Sequence, residues 1–270
     1  MTDAIFEPDG DVLVPTVLAR GPWDPTAMHG GPPAGLLARA VESVPTPDGV
    51  AMPVARLTVE LLRPIPLEPI AFTTAAVRTG RKVQVVDASL ALAGSGTEVV
   101  RGRAVRIRSA SVPLPYEDPV RGPLLVPDEP PGSPEGLDSG APLLESDEAF
   151  HRDAIDLRFT EGAWDQPGPV AFWGRLLVPL VAGEELTPLQ RTMALSDMGN
   201  GVSGVVGFDT HVFINPELSV HLWRYPTGEW IAFRSRSHLG AHGIGLAESA
   251  IYDRSSQLGL AAQSLFIDVR

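Results

Sequence analysis

LTVELLRPIPLEPIAF, residues 57–72, returns as LSVHLWRYPTGEWIAF at residues 218–233, without a gap and at one offset, 218 − 57 = 233 − 72 = 161. Eight of the sixteen positions are identical: Leu57, Val59, Leu61, Arg63, Glu68, Ile70, Ala71 and Phe72 against their partners. The apolar alternation stays in phase to Leu90 and Ile251. A unit that recurs in this way is one folding unit present twice, and a functional site is expected where the copies meet.

Outward from that repeat, residues 56–108 run mostly in period two through LTVELL, AFTTAAV, KVQVVDASLAL and VVRGRAVRIR, with Pro- or Gly-rich turns between them. This predicts four antiparallel strands. LSVHLW, WIAFRSRS, GIGLAESAIYD and GLAAQSLFIDVR repeat the pattern. Before each block lies one helical stretch, residues 32–44 and 188 to about 198, each opening with proline near the first helical position. One helix followed by a four-stranded meander, twice, is an α+β layout in which each sheet wraps its helix. Between the copies, residues 109–143 carry nine prolines from Pro113 to Pro142, the composition of a surface linker. The expected boundaries are 1–108 for the first unit, 109–160 for the linker and 161–270 for the second unit.

Composition removes several classes of function. The absence of cysteine excludes disulfides, thiol nucleophiles and cysteine metal sites. A net charge of −12 argues against nucleic-acid binding, which draws its affinity from Lys and Arg on phosphates, and Lys82 is the only lysine. The opening MTDAIFEPDGDVLVP has no basic or apolar leader pattern and no apolar run could span a bilayer, so a cytoplasmic protein without membrane contact is expected. No G-x-S-x-G elbow is present, and the six scattered histidines predict no metal site and no cofactor.

His29-Gly30-Gly31-Pro32 stands at the start of the first helix. Two glycines there leave amide N–H groups uncovered at the positive end of the helix dipole, where they can meet a developing oxyanion; they can equally serve only to make the turn. His29 is read as a substrate-side residue or as a simple turn residue. With Leu195-Ser196-Asp197 on helix two, the LSVHLWR strand and Gln263 on the last strand, the sequence resembles the TesB-type (thioesterase II) double hot-dog acyl-CoA thioesterases.

That resemblance implies two helix-plus-antiparallel-sheet units joined into one continuous sheet. It implies hydrolysis of an acyl-CoA to free acid and coenzyme A, with further pairing of double hot dogs left open. Non-catalytic acyl-CoA binding is the alternative, followed by a hydratase or dehydratase, against which no Asp-plus-His pair is found at the usual spacing. Asp197 matches the family's catalytic aspartate and Gln263 its glutamine. The family's threonine aligns with Asn215, and Ser219 is the alternative hydroxyl if both lie on one face of a continuous strand. The first helix has Ala38 and Arg39 where single hot dogs with this opening carry a base, so one composite site is expected: amide donors from helix one and a carboxylate from helix two. Burial is expected to raise the carboxyl pKa of Asp197. Asn200 is a partner of the site or a helix cap, Arg63 and Arg224 are repeat-equivalent and read as structural, and Trp173 is a possible wall of an acyl tunnel. Arg78, Arg81 and Lys82 are the candidates for coenzyme A phosphates.

Overall fold

The computed structural model describes residues 3–113 and 148–270, so most of the Pro-rich stretch, residues 114–147, lies outside the described residues. The first half contains β1 (Phe6–Asp9), β2 (Val12–Pro15), α1 (Gly31–Glu42), β3 (Val54–Leu61), β4 (Ile70–Thr79), β5 (Val83–Leu92) and β6 (Glu98–Ile107). The second contains β7 (Ile155–Glu161), β8 (Val170–Leu176), α2 (Pro188–Ser196), α3 (Met198–Val202), β9 (His211–Ile214), β10 (Glu217–Leu222), β11 (Ile231–Leu239), β12 (Ile244–Tyr252) and β13 (Gln257–Val269). All thirteen strands join one sheet in the order β1-β2-β4-β5-β6-β3-β10-β13-β12-β11-β8-β7, with β9 on β13 off that path.

The order has the same plan from either end. The two four-stranded meanders are those the periodicity predicts, and each half also has a hairpin before its helix, β1–β2 and β7–β8, on the outer edge of its meander. The repeating unit is therefore a hairpin, a helix and four strands, and β7 begins at Ile155, inside the span expected as linker.

At the centre, β3 pairs antiparallel with β10, Leu57 opposite Val220 and Val59 opposite Leu218. Thr58 faces Ser219, its own repeat equivalent (58 + 161 = 219), and Ser219 Oγ donates to Thr58 Oγ1 at 3.2 Å. This pair marks the pseudo-twofold axis. Leu218, Val220 and Leu222 are buried toward the core while Ser219 and His221 are not, the period-two signature of a sheet with one face packed.

Helix α1 is the centre of that core: Leu36, Leu37, Ala38, Ala40 and Val41 are almost fully buried. Each such leucine stabilises the fold by about 1.5–3 kcal/mol relative to an exposed one. The helices touch backbone to backbone, since a Cβ on Gly31 would run into the Ala194 carbonyl oxygen. Thr187 starts α2, its Oγ1 accepting from Gln190 N–H at 3.2 Å. The single helix expected over 188–198 is interrupted at Asp197, which closes α2 and opens α3. Among the described residues no helix is long and apolar enough to cross a membrane.

Candidate active site

The N-terminal end of α1 meets the C-terminal end of α2, and Asp197 sits in the contact with 7% of its surface exposed. Its Oδ1 accepts from Asn215 Nδ2 at 2.8 Å and from Gln263 Nε2 at 3.0 Å, and its Oδ2 lies 3.0 Å from His29 Nδ1. Gly30 permits the approach of the two helix ends, because a Cβ there would lie 2.7 Å from Asp197 Oδ2. Gln263 projects inward from β13, its Oε1 accepting from Asn200 N–H at 3.1 Å. Asn215 lies in the break between β9 and β10, just before Pro216, and its position outside a regular strand aims its amide at the carboxylate.

Burial pushes the Asp197 carboxyl up, as expected from sequence, but His29, Asn215 and Gln263 outweigh it and the net direction is down. The expectation of a raised value is thereby corrected: three donors hold the ionised form. His29 Nδ1 also lies 3.0 Å from the Gly31 amide nitrogen. One ring nitrogen serves one of these at a time: protonated, it donates to Asp197; bare, it accepts from Gly31 N–H.

A cavity of about 360 Å³ opens above this cluster. Its floor is Asp197, His29, Gly30, Asn200 and Asn215, and its walls include Trp23, Ile65, Trp164, Met198 and Phe208. Gly30 lines it and Gly31 does not; among the described residues the Gly30 N–H has no hydrogen-bond acceptor. Of the two glycines, Gly30 is thus the one that combines an unpartnered N–H with a place in the cavity lining. Asn200 donates its Nδ2 to Phe213 O at 3.0 Å, which fixes its amide orientation, and its buried Oδ1 has no partner among the described residues.

His151 is a wall residue the sequence did not single out. It is buried, stacks on Trp164 at 5.9 Å between ring centroids, lies 6.5 Å from the His29 ring, and its Nδ1 has no partner among the described residues. Burial first, then the neighbouring His29 and Arg152, pushes it down to about 4. It belongs to the segment before β7 that reads as linker, so only its three-dimensional packing reveals it.

Other predicted residues lie elsewhere. Ser219 is on the axis, bonded to Thr58 and to Glu217 Oε2, not to Asp197. The β9–β10 break removes the continuous strand on which period two put it beside Asn215. Arg78, Arg81 and Lys82 sit at the β4–β5 turn, at the far end of β4 from the cavity-lining segment around Ile65, and none lines the cavity. Trp173 packs in a separate cluster with Ala232 and Tyr252 and does not line the cavity above Asp197. No group of three or more potential metal ligands occurs among the described residues.

The pseudo-symmetric position has been filled. Ala88 pairs with Gly102 and Ser249 with Ala261, so β6 and β13 correspond at 261 − 102 = 159, and the counterpart of Gln263 is the buried Ala104. There, at the C-terminal end of α1, Glu42 accepts from Thr187 Oγ1 at 2.8 Å and Gln190 Nε2 at 3.1 Å, and burial pushes its carboxyl up.

Helical segments from both halves wrapped by one continuous antiparallel sheet, the halves built on one plan and meeting at the polar cluster around Asp197, define a double hot dog. Residues 19–107 match the acyl-CoA thioesterase N-terminal domain and residues 126–267 the acyl-CoA thioesterase C-terminal domain, and the chain belongs to this family. Solved structures share the fold. A hot-dog protein of unknown function from Alicyclobacillus acidocaldarius aligns at TM-score 0.66 and 17% identity, over 99% of this chain and 97% of its own. The TesB protein of Mycobacterium avium subs paratuberculosis aligns at 0.63 and 14%, over 97% and 96%. The acyl-CoA thioesterase II TesB2 of Mycobacterium marinum aligns at 0.62 and 15%, over 97% and 94%. No curated protein matches the sequence significantly.

Proposed function

We propose that the chain hydrolyses an acyl-CoA to free acid and coenzyme A. The observation that carries this reading is the Asp197 carboxylate, held ionised by donors from both halves at the floor of a largely apolar cavity. A water donating one hydrogen to Asp197 and the other to the orphaned Asn200 Oδ1 is oriented toward a thioester carbonyl lying over Gly30. Its oxygen adds to the carbonyl carbon, the C=O electron pair moves onto oxygen opposite the Gly30 N–H, and one proton passes to Asp197. On collapse the C–S bond breaks, sulfur leaves with the pair, and the proton on Asp197 goes to the thiolate. A carboxylate held low is a weak base, so its larger contribution is orientation of the water. Gln263, Asn215 and His29 are positioning residues for it.

The 3.0 Å contact of Asp197 with His29 favours one second reading, addition of water across a 2-enoyl thioester, because the Asp-His pair missing along the sequence forms between the helices. A panel of saturated acyl-CoA esters from short to long chains, with free thiol as readout, run beside 2-enoyl-CoA with loss of the conjugated absorbance as readout, decides between them. Thiol release supports hydrolysis. Loss of absorbance without thiol supports hydration, and neither signal leaves a binding protein.

A further inference from the structure

The two repeat-equivalent arginines have parted company. Arg224 is locked: its guanidinium bonds both oxygens of the fully buried Asp253, at 2.5 and 2.8 Å, along with Ser255 and Ser256. Phe72 pairs with Leu90 and Phe233 with Ile251, so the same register puts Leu92 (253 − 161) where Asp253 stands. Arg63 therefore has no counterpart of that carboxylate. It is exposed on the rim of the cavity and, among the described residues, is the only Lys or Arg lining it and makes no hydrogen bond or ion pair. The acid whose charge it feels, Glu98, is engaged by Arg101. An arginine without an ion-pair partner among the described residues, with its forked donors free at the mouth of an apolar cavity, has the geometry of an oxyanion contact.

We propose that Arg63 recognises a phosphate on the carrier arm of the thioester, with the acyl group inside and the phosphate at the rim. This inference rests on the thioester reading above and takes over the role that sequence gave to Arg78, Arg81 and Lys82. The shared chemistry is a phosphate ester, and its two sources are the phosphate of the pantetheine arm and the nucleotide phosphates of coenzyme A.

The test measures R63A, R63K and wild type on three thioesters of one acyl group: acyl-CoA, acyl-4′-phosphopantetheine and acyl-pantetheine. Expected is an increase of about tenfold in KM for acyl-CoA in R63A, with kcat unchanged and partial recovery in R63K, fading as salt is raised. The KM for acyl-pantetheine does not move. A matching increase for acyl-phosphopantetheine assigns the arm phosphate, and no increase there assigns the nucleotide. Equal effects on all three substrates, or on none, overturn the proposal. Calorimetric titration with coenzyme A itself separates this proposal from the reaction: binding that depends on Arg63 without thiol release sinks only the hydrolysis, whereas hydrolysis without such binding sinks only the subsite. Thermal melts provide the control for structure, where R224A lowers Tm and R63A does not.

Discussion

His29 Nδ1 lies 3.0 Å from Asp197 Oδ2 although 197 − 29 = 168 residues separate them, and the two side chains come from different copies of one repeat. Replacing the acid by its amide is expected to keep the fold, because the amide oxygen can still accept from Asn215 and Gln263 while the amide nitrogen can donate to the bare tautomer of His29. Turnover of D197N on the best acyl-CoA is expected to fall about 10²- to 10⁴-fold. Near-wild-type thiol release by a folded D197N would remove Asp197 from the reaction.

The pH profile tests which partner of that contact handles the proton. Asp197 is held below the ordinary carboxyl range, so the ionised form that the reaction requires persists as pH falls, and kcat/KM is expected to stay flat from neutrality to about pH 5. A fall in kcat/KM between neutrality and about pH 5 would show that the ionised Asp197 is not the group that limits the reaction.

Asn215 and Ser219 make a discriminating pair. N215A removes a 2.8 Å donor to the carboxylate and is expected to lower kcat by about tenfold or more, on the order of one charge-assisted hydrogen bond. S219A removes only the contact across the axis with Thr58 and one with Glu217, costs about 0.5–1.5 kcal/mol of stability, and leaves kcat/KM near wild type. The reverse order in steady-state kinetics would show that the hydroxyl, not the amide, serves the site.

His151 makes stability depend on acid. Its folded-state value is about 4 against an ordinary 6.5, so between these the unfolded chain binds the extra proton and stability falls as pH drops from 6.5 toward 4. The loss amounts to about 3 kcal/mol at most. Urea unfolding at about pH 7 and about pH 4.5 is expected to show this difference in wild type and a smaller one in H151F. An equal difference in both proteins rules His151 out as its source.

The strands of both meanders were legible because each buries one face, as in the alternation of Val86, Ala88 and Leu90 on β5. The hairpins were not: β1 has four residues and β8, VAFWGRL, is buried on both faces for most of its length and does not alternate. At the site, Asp197, Gln263 and Gly30 were named through the resemblance and lie together in the fold, whereas Gly31, named with them, does not line the cavity. The Asp197–His29 contact was invisible to a search along the chain because it is made by the meeting of two helix ends. Ser219 was misplaced because Pro216 interrupts the strand assumed continuous. Arg63 was read as structural on its likeness to Arg224, and that likeness stopped at the partner, Asp253 against Leu92.

Ala104 at the position equivalent to Gln263, and Glu42 tied down by the cap of α2, leave the other helix contact without a counterpart of the Asp197–Gln263 contact. The chain should therefore count as one binding unit, saturating with a single equivalent of ligand along a simple hyperbola. Freed from serving two masters, each copy of the repeat can change on its own: the first can tune the mouth and the amide donor while the second keeps the carboxylate, and neither alteration is duplicated at a twin site.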